Sequence, residues 1–436
     1  MQNPFHLSST RRPTLDTLSQ RLGLRMALRT ALFAALALSL LAACRTEEAS
    51  APAEPWPTPA EVQPSPTADA MRALDPLVPT PLVASQTPTL APQIASQGVI
   101  TAAATISSTD AGVDRPAAAS VTPLEPGNLR SRLGIGVPLN VTDFAFDTAM
   151  AQELGIGWYL DWHINPAPID VDGLEYAQLY AMRGGNIPLR RDQIAQVLAA
   201  NPGALWLAGN EPDVIWQDNK TPEEYAQLYH QFYTFVKTLD PSAQVAIAGV
   251  SQVTPLRLQY LEAVMAAYER LYGQRLPVDV WNVHAFILRE ERDSWGVSIP
   301  PGFDVDQGML WEIEEHDDLG LFRQQIVDFR RWMDKQGERN KPLIISEFGI
   351  LMPTEYGFPP QRVAEFMTET FDYLLTASDP DIGYPADDNR LVQRLTWYSL
   401  SDTVYPTSNL VDPKTGEFTL LGQTYAEYAA SLRESP

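Results

Sequence analysis

From about Gly127 to the C-terminus, short apolar runs alternate with longer stretches whose apolar residues recur every three or four positions. The runs are RLGIGVPL (132–139), IGWYLDW (156–162), YAQLYAMR (176–183), ALWLAGNE (204–211), QVAIAGVS (244–251), VDVWNVHAF (278–286), PLIISEFG (342–349) and RLTWYSLS (394–401). Continuous apolar runs of this length read as strands buried on both faces, whereas the intervening period of 3.6 reads as amphipathic helix. The clearest helix begins TPEEYAQLYHQFYTFVKTL. There Thr221 fits the N-cap, Pro222 the first helical position and Glu224 the far side of a capping box. Tyr225, Leu228, Phe232, Phe235, Val236 and Leu239 follow at helical spacing. LFRQQIVDFRRWMDKQG and RVAEFMTETFDYLLTA behave alike. Eight strand–helix repeats in residues 127–436 are the size and rhythm of an α/β (β/α)₈ TIM barrel. The rival, an open doubly wound sheet, is disfavoured because the loop after the first strand, GVPLNVTD, lacks the glycine-rich phosphate fingerprint.

Upstream, the texture is different. Residues 44–126 are rich in Pro, Ala, Ser and Thr, as in APAEPWPTPAEVQPSPTADA, and poor in aromatics; Trp56 is incidental. Such a segment buries too little apolar surface to offset its ordering entropy and reads as a disordered tether. Before it, residues 1–43 hold a secretory signal: Arg21, Arg25 and Arg29 precede a short apolar stretch that ends in Leu41-Ala42-Ala43-Cys44. Residues 1–25 carry no fold signal and read as an extension ahead of a start at Met26. Small residues before a cysteine resemble the bacterial lipobox, which implies a lipidated Cys44 holding the protein to the outer face of the cell membrane. An uncleaved anchor is the bland alternative, for which the apolar run is short.

The formal net charge is -23. Repulsion at every phosphate argues against nucleic acid as a partner and suits a soluble protein handling neutral ligands. With a single cysteine, no internal disulfide forms.

In a barrel of this kind, function sits at the C-terminal ends of the strands. Glu211 closes the fourth apolar run and Glu347 the seventh. A carboxylate delivered to the end of a buried strand is costly unless something there uses it. Two of them facing across the mouth are what glycoside hydrolysis needs: one protonates the leaving oxygen while the other attacks or activates water.

GNEPD and IISEFG are similar to the two signatures of glycoside hydrolase clan A, the 4/7 superfamily of retaining glycosidases. The resemblance spans residues 130–436. It implies Glu211 as acid/base, Glu347 as nucleophile, and Asn210 as a hydrogen-bond partner of the sugar 2-hydroxyl. It further implies His284, followed by Phe286, beside the nucleophile, and Trp397 as the aromatic platform at the cleavage point. A β-linked polysaccharide substrate follows on the same footing; the carboxylate chemistry implies no cofactor, and the expected state is a monomer. The arginine that many of the clan's families keep near the end of strand two is missing; Asp161, Trp162 and His163 in YLDWHIN are candidate pocket residues there, and Arg183 a candidate substitute. The segment 287–318 exceeds an ordinary loop: either it folds over the cleft with Trp295 or Trp311 on sugar, or it is an acidic surface insertion. EIEEHDD lacks regular metal-ligand spacing, which leaves His316 a solvated side chain; His230, mid-helix, reads as structural. Two other functions use the same residues: a glycan-binding protein on a degenerate barrel, and a transglycosylase in which sugar replaces water as acceptor.

Overall fold

A computed structural model describes residues 129–138, 144–183 and 189–432. Residues 1–126, on which the expected signal, tether and lipidated Cys44 fall, lie outside the described residues. All eight apolar runs form strands, and all named strand pairs are parallel: β1 (Leu133–Gly136), β2 (Trp158–Leu160), β3 (Glu175–Tyr176), β4 (Gln178–Leu179), β5 (Leu205–Ala208), β6 (Gln244–Ile247), β7 (Trp281–His284), β8 (Leu343–Phe348) and β9 (Arg394–Trp397). They pair in the orders β3-β2-β1-β9-β8-β7 and β4-β5-β6.

Two joints close these sheets into one barrel. β3 and β4 flank Ala177 and act as a single stave, which bonds to β2 through Ala177 N–H and to β5 through Tyr180 N–H. β6 meets β7 through parallel bridges at Ala246–Val280 and Val250–Val283, where the His284 amide donates to Val250 O at 2.8 Å. The result is eight staves in chain order, the closed α/β barrel expected from the alternation.

Helices follow seven of the staves: Thr148–Leu154, Arg191–Ala200, Pro222–Leu239, Pro255–Tyr272, Leu319–Lys335, Pro360–Thr376 and Leu420–Ser431. The helix beginning at Pro222 has the expected capping box between Thr221 and Glu224. The second stave departs from the eightfold expectation. Between β2 and β3 the chain runs as a non-helical loop, because Pro166 and Pro168 interrupt it and Gly173 takes φ 75°. Gln178 pins that loop by exchanging two 2.7 Å hydrogen bonds with the Asn165 backbone. Among the described residues no helix is long and apolar enough to cross a membrane.

Period-two alternation sorts the side chains. Trp158, Leu160, Leu179, Leu205, Leu207, Val280 and Ile344 fill the barrel interior, while Ile135, Trp206, Val245, Val283, Ile345 and Leu395 face the helices. Trp158 fits inside because its neighbour is Gly134, where a Cβ would come within 2.5 Å of the indole. Higher in the interior the filling turns polar, with fully buried Asn282 and Thr396 beneath the mouth.

The long insertion after β7 is anchored. Glu290 N–H donates to Met309 O at 2.8 Å and Arg292 N–H to Asp306 O at 2.9 Å, forming an antiparallel arch. The fully buried Arg257 guanidinium holds the base of the arch. It pairs with Glu290 at 2.9 Å and Asp213 at 3.1 Å and donates to Ser298 O at 2.7 Å. Charges buried this deeply survive only when paired and hydrogen-bonded, so Arg257 locks the loop after β5 to the arch.

Candidate active site

GNEPD sits where β5 ends, and each residue has a mechanical reason. Gly209 has φ 111°, and a Cβ there would lie 2.9 Å from the Asp218 carboxylate. That carboxylate accepts from Asn210 N–H at 2.7 Å, and burial pushes Asp218 up to about 6. Glu211 has φ 42°, a region few side chains other than glycine occupy and one that clusters at functional sites. Its N–H donates to Gly249 O at 3.1 Å and its carbonyl accepts from Val214 N–H, so both sides of the strained residue are held. Pro212 restricts the next φ, and Asp213, fully buried, accepts from Ser251 N–H and Oγ. The motif is a rigid corner that turns Glu211 inward.

Glu347 reaches the mouth by a different device. On β8, Ile344 faces the interior and Ile345 the helices, so plain alternation would turn Glu347 outward. The ladder to β9 instead pairs Ile345 with Leu395 and Phe348 with Trp397, setting three residues against two. This bulge supplies one extra residue; Phe348 packs outside, and Glu347 turns into the mouth.

The two glutamates meet at one imidazole. His284 Nδ1 lies 2.8 Å from Glu211 Oε1, and its Nε2 lies 3.5 Å from Glu347 Oε1. Trp162 Nε1 donates to the same Glu347 oxygen at 2.7 Å. One oxygen from each carboxylate and one ring nitrogen of His284 lie within 4.8 Å of one another. These donors are types a metal could use, but the hydrogen bonds already occupying Glu211 Oε1 and Glu347 Oε1 make an acid–base trio the simpler reading.

Burial sets the electrostatics. It pushes Glu347 up to about 7, helped by the Glu211 carboxylate and opposed by His284, Trp162 and Arg183. Burial alone would lower His284, but Glu347 and the hydrogen bond to Glu211 outweigh it, and the imidazole is raised.

The expected site residues divide. Glu211, Glu347, His284 and Trp162 converge. Arg183 donates to Gln217 Oε1 at the rim and acts electrostatically on Glu347. Asn210 adjoins Glu211, its backbone clamped by Asp218. Asp161 is structural: its carboxylate accepts from Tyr176 Oη and His163 N–H, holding the loop after β2. Trp397 is not the sugar platform. Its ring is 0% exposed, stacked edge-on against Phe348 and Phe371, with Nε1 donating to Ser408 O at 2.9 Å. Alternation along β9 sends Trp397 to the helices and leaves the mouth to Tyr398, one residue on. Tyr398 lies 5.6 Å from Trp162 and 6.3 Å from Tyr405 between ring centroids, and its hydroxyl donates to Asp402 at 2.5 Å.

The insertion is corrected as well. His316 is buried, not solvated: Nδ1 donates to Ile287 O at 2.8 Å and Nε2 accepts from Leu351 N–H at 2.9 Å. Desolvation lowers it to about 4, so it is a neutral staple between the loops after β7 and β8. Trp311 is buried and Trp295 packs against the core. His230 stacks on Tyr272 at 3.6 Å, the structural role expected.

Two glycines that carried no signal in the sequence prove to be part of the site. A Cβ on Gly136 would come within 2.6 Å of the Trp162 ring, and one on Gly249 within 2.5 Å of His284 Cδ2. Gly249→Ala is therefore expected to displace the imidazole that bridges the glutamates. Overpacking should cost about 1–3 kcal/mol of stability, and misplacing the trio about 10²-fold in turnover. Thermal unfolding and turnover measured together check both; unaltered turnover would show that the ring's position is unimportant.

Residues 138–295 match the family model of the glycosyl hydrolase catalytic core. Comparison with curated proteins gives no match. Among solved structures, the chain is similar to a GH128 subgroup II endo-β-1,3-glucanase from Sorangium cellulosum, at 17% identity over 68% of this chain and 98% of that one, TM-score 0.44. A second GH128 subgroup II endo-β-1,3-glucanase, from Pseudomonas viridiflava, has 21% identity over 68% and 96%, TM-score 0.45. A glucosidase from Croceicoccus marinus has 15% identity over 71% and 69%, TM-score 0.47.

Proposed function

We propose that the protein is a retaining glycoside hydrolase acting on a β-linked polysaccharide, with Glu211 as acid/base and Glu347 as nucleophile. The observation that carries this is the convergence of both glutamates on His284, with one oxygen of each within 4.8 Å. Oxygens this close are compatible with carboxyl groups about 5–5.5 Å apart, the separation that retention requires, against the ~6.5–9.5 Å of inverting enzymes. The glycosyl hydrolase match over residues 138–295 supports the reading and includes Glu211 and His284.

In the first half-reaction Glu347 attacks the anomeric carbon while Glu211 gives its proton to the departing oxygen. In the second, Glu211 takes a proton from water, which displaces Glu347 from the glycosyl-enzyme. Trp162 N–H and His284 hold the Glu347 oxygen in place, and Asn210 takes the sugar 2-hydroxyl, the role that the clan resemblance implies. With a lipidated Cys44 and the tether of residues 44–126, this chemistry would operate outside a bacterial membrane. The carboxylates need no cofactor for it.

The chemistry makes the pH dependence unusual. Only ionised Glu347 attacks, and burial holds it near 7. As pH falls through about 7 the carboxylate gains a proton, so kcat/KM should drop about tenfold per unit below that point. The limb belongs to the coupled Glu347–His284–Glu211 group. An acidic limb near the ordinary glutamate value of about 4.3 would contradict this environment. A raised carboxyl is also what a general acid requires, so reversed roles for the two glutamates form the second reading.

Reducing-sugar release from a panel of β-linked polysaccharides, run beside affinity electrophoresis, tests the function. Released sugar is the expected result. Retarded migration with no released sugar would replace the enzyme with a glycan-binding protein, and elongated products would mark a transglycosylase.

A further inference from the structure

The loop that follows Glu211 presents Ile215 and Trp216 to solvent at 38% and 36% exposure. Large apolar side chains held next to one another at the surface of a rigid loop offer a ready contact face. The loop is rigid: Gln217 N–H donates to Val214 O, Asp218 N–H to Asn210 O and Lys220 N–H to Pro212 O. It is also continuous with the candidate active site, since Arg183, which acts on Glu347, donates to Gln217 beside Trp216. The neighbouring arch adds exposed Val305, Met309 and Leu310. Arg257 ties the two loops together, donating to Asp213 O at 2.7 Å and Ser298 O at 2.7 Å.

We propose that Trp216, with Gln217 and Arg183 beside it, forms a binding subsite for an uncharged polysaccharide chain leaving the catalytic glutamates. The proposal rests on the glycosidase reading for its direction. An indole stacks on the C–H face of a pyranose while Gln217 and Arg183 meet hydroxyls, and the formal net charge of -23 disfavours a polyanionic chain. A substrate held there extends beyond the cleavage point, so the enzyme acts on polymers and loses affinity when the chain is short.

The test is affinity electrophoresis of the full chain through gels containing laminarin, barley mixed-linkage glucan or hydroxyethyl cellulose, with reducing-sugar release followed in parallel. Trp216→Ala should weaken retardation about tenfold in the glucan that retards the wild type. Leu239→Ser, which removes a different exposed apolar side chain at the far end of its helix, should leave retardation as it was. Retardation that depends on Trp216 without sugar release would uphold the subsite and overturn the hydrolase. Equal retardation of Trp216→Ala and wild type, no retardation by any of the three glucans, or a variant altered only in self-association by sedimentation would overturn the subsite.

Discussion

Replacing Glu347 with alanine should lower kcat by at least about 10⁴-fold, because the group that forms the covalent bond is gone. The loss is chemical and not structural. Alanine leaves a space beside Trp162 and His284, so azide should restore glycosyl transfer from a substrate with a good leaving group and give a product of opposite anomeric configuration. Glu347→Gln separates the two roles further. The folded-state pKa of about 7 lies above the ordinary glutamate value, so the fold favours the protonated carboxyl. That contribution is fully present below about pH 4.3 and is lost as pH rises through about 7. Glutamine stays neutral throughout. The variant should thus be more stable than the wild type at pH 8, by up to about 4 kcal/mol, and unfold at a higher temperature there, whereas the two should unfold alike at pH 4. Inactive yet stabilised protein is the expected signature; inactive and destabilised protein would mean that Glu347 is structural.

Glu211→Ala should cost about 10²–10⁴-fold on natural glycans, the usual worth of a positioned proton donor. The loss should depend on the leaving group. A dinitrophenolate departs without a proton, so formation of the glycosyl-enzyme survives and deglycosylation becomes limiting, visible as a burst of released phenol. A loss equal for dinitrophenyl and alkyl glycosides would remove Glu211 from the acid role. His284 complicates neither test: it bonds Glu211 at 2.8 Å but holds no atom that must leave or attack.

Much of this was readable from residues alone. The apolar runs marked the staves because a parallel barrel buries strands on both faces, and Thr221-Pro222-Glu224 marked a helix start by local chemistry. Glu211 and Glu347 stood out as carboxylates where apolar runs end. What failed was long-range or parity-dependent. Trp397 and Tyr398 differ by one step along β9, and one step decides between core and mouth. The bulge that turns Glu347 inward is a mismatch between two strands, invisible in either. Gly136 and Gly249 matter only because Trp162 and His284, distant in sequence, need their space. His316 read as a solvated side chain until partners from other loops enclosed it.

The most direct measurement is covalent trapping. A 2-deoxy-2-fluoro β-glycoside of the sugar released from the active glucan, carrying a good leaving group, should accumulate on the enzyme, and peptide mass spectrometry should find the label on Glu347. A label on Glu211, or steady turnover of the natural glycan with no adduct on either glutamate, would contradict the assignment.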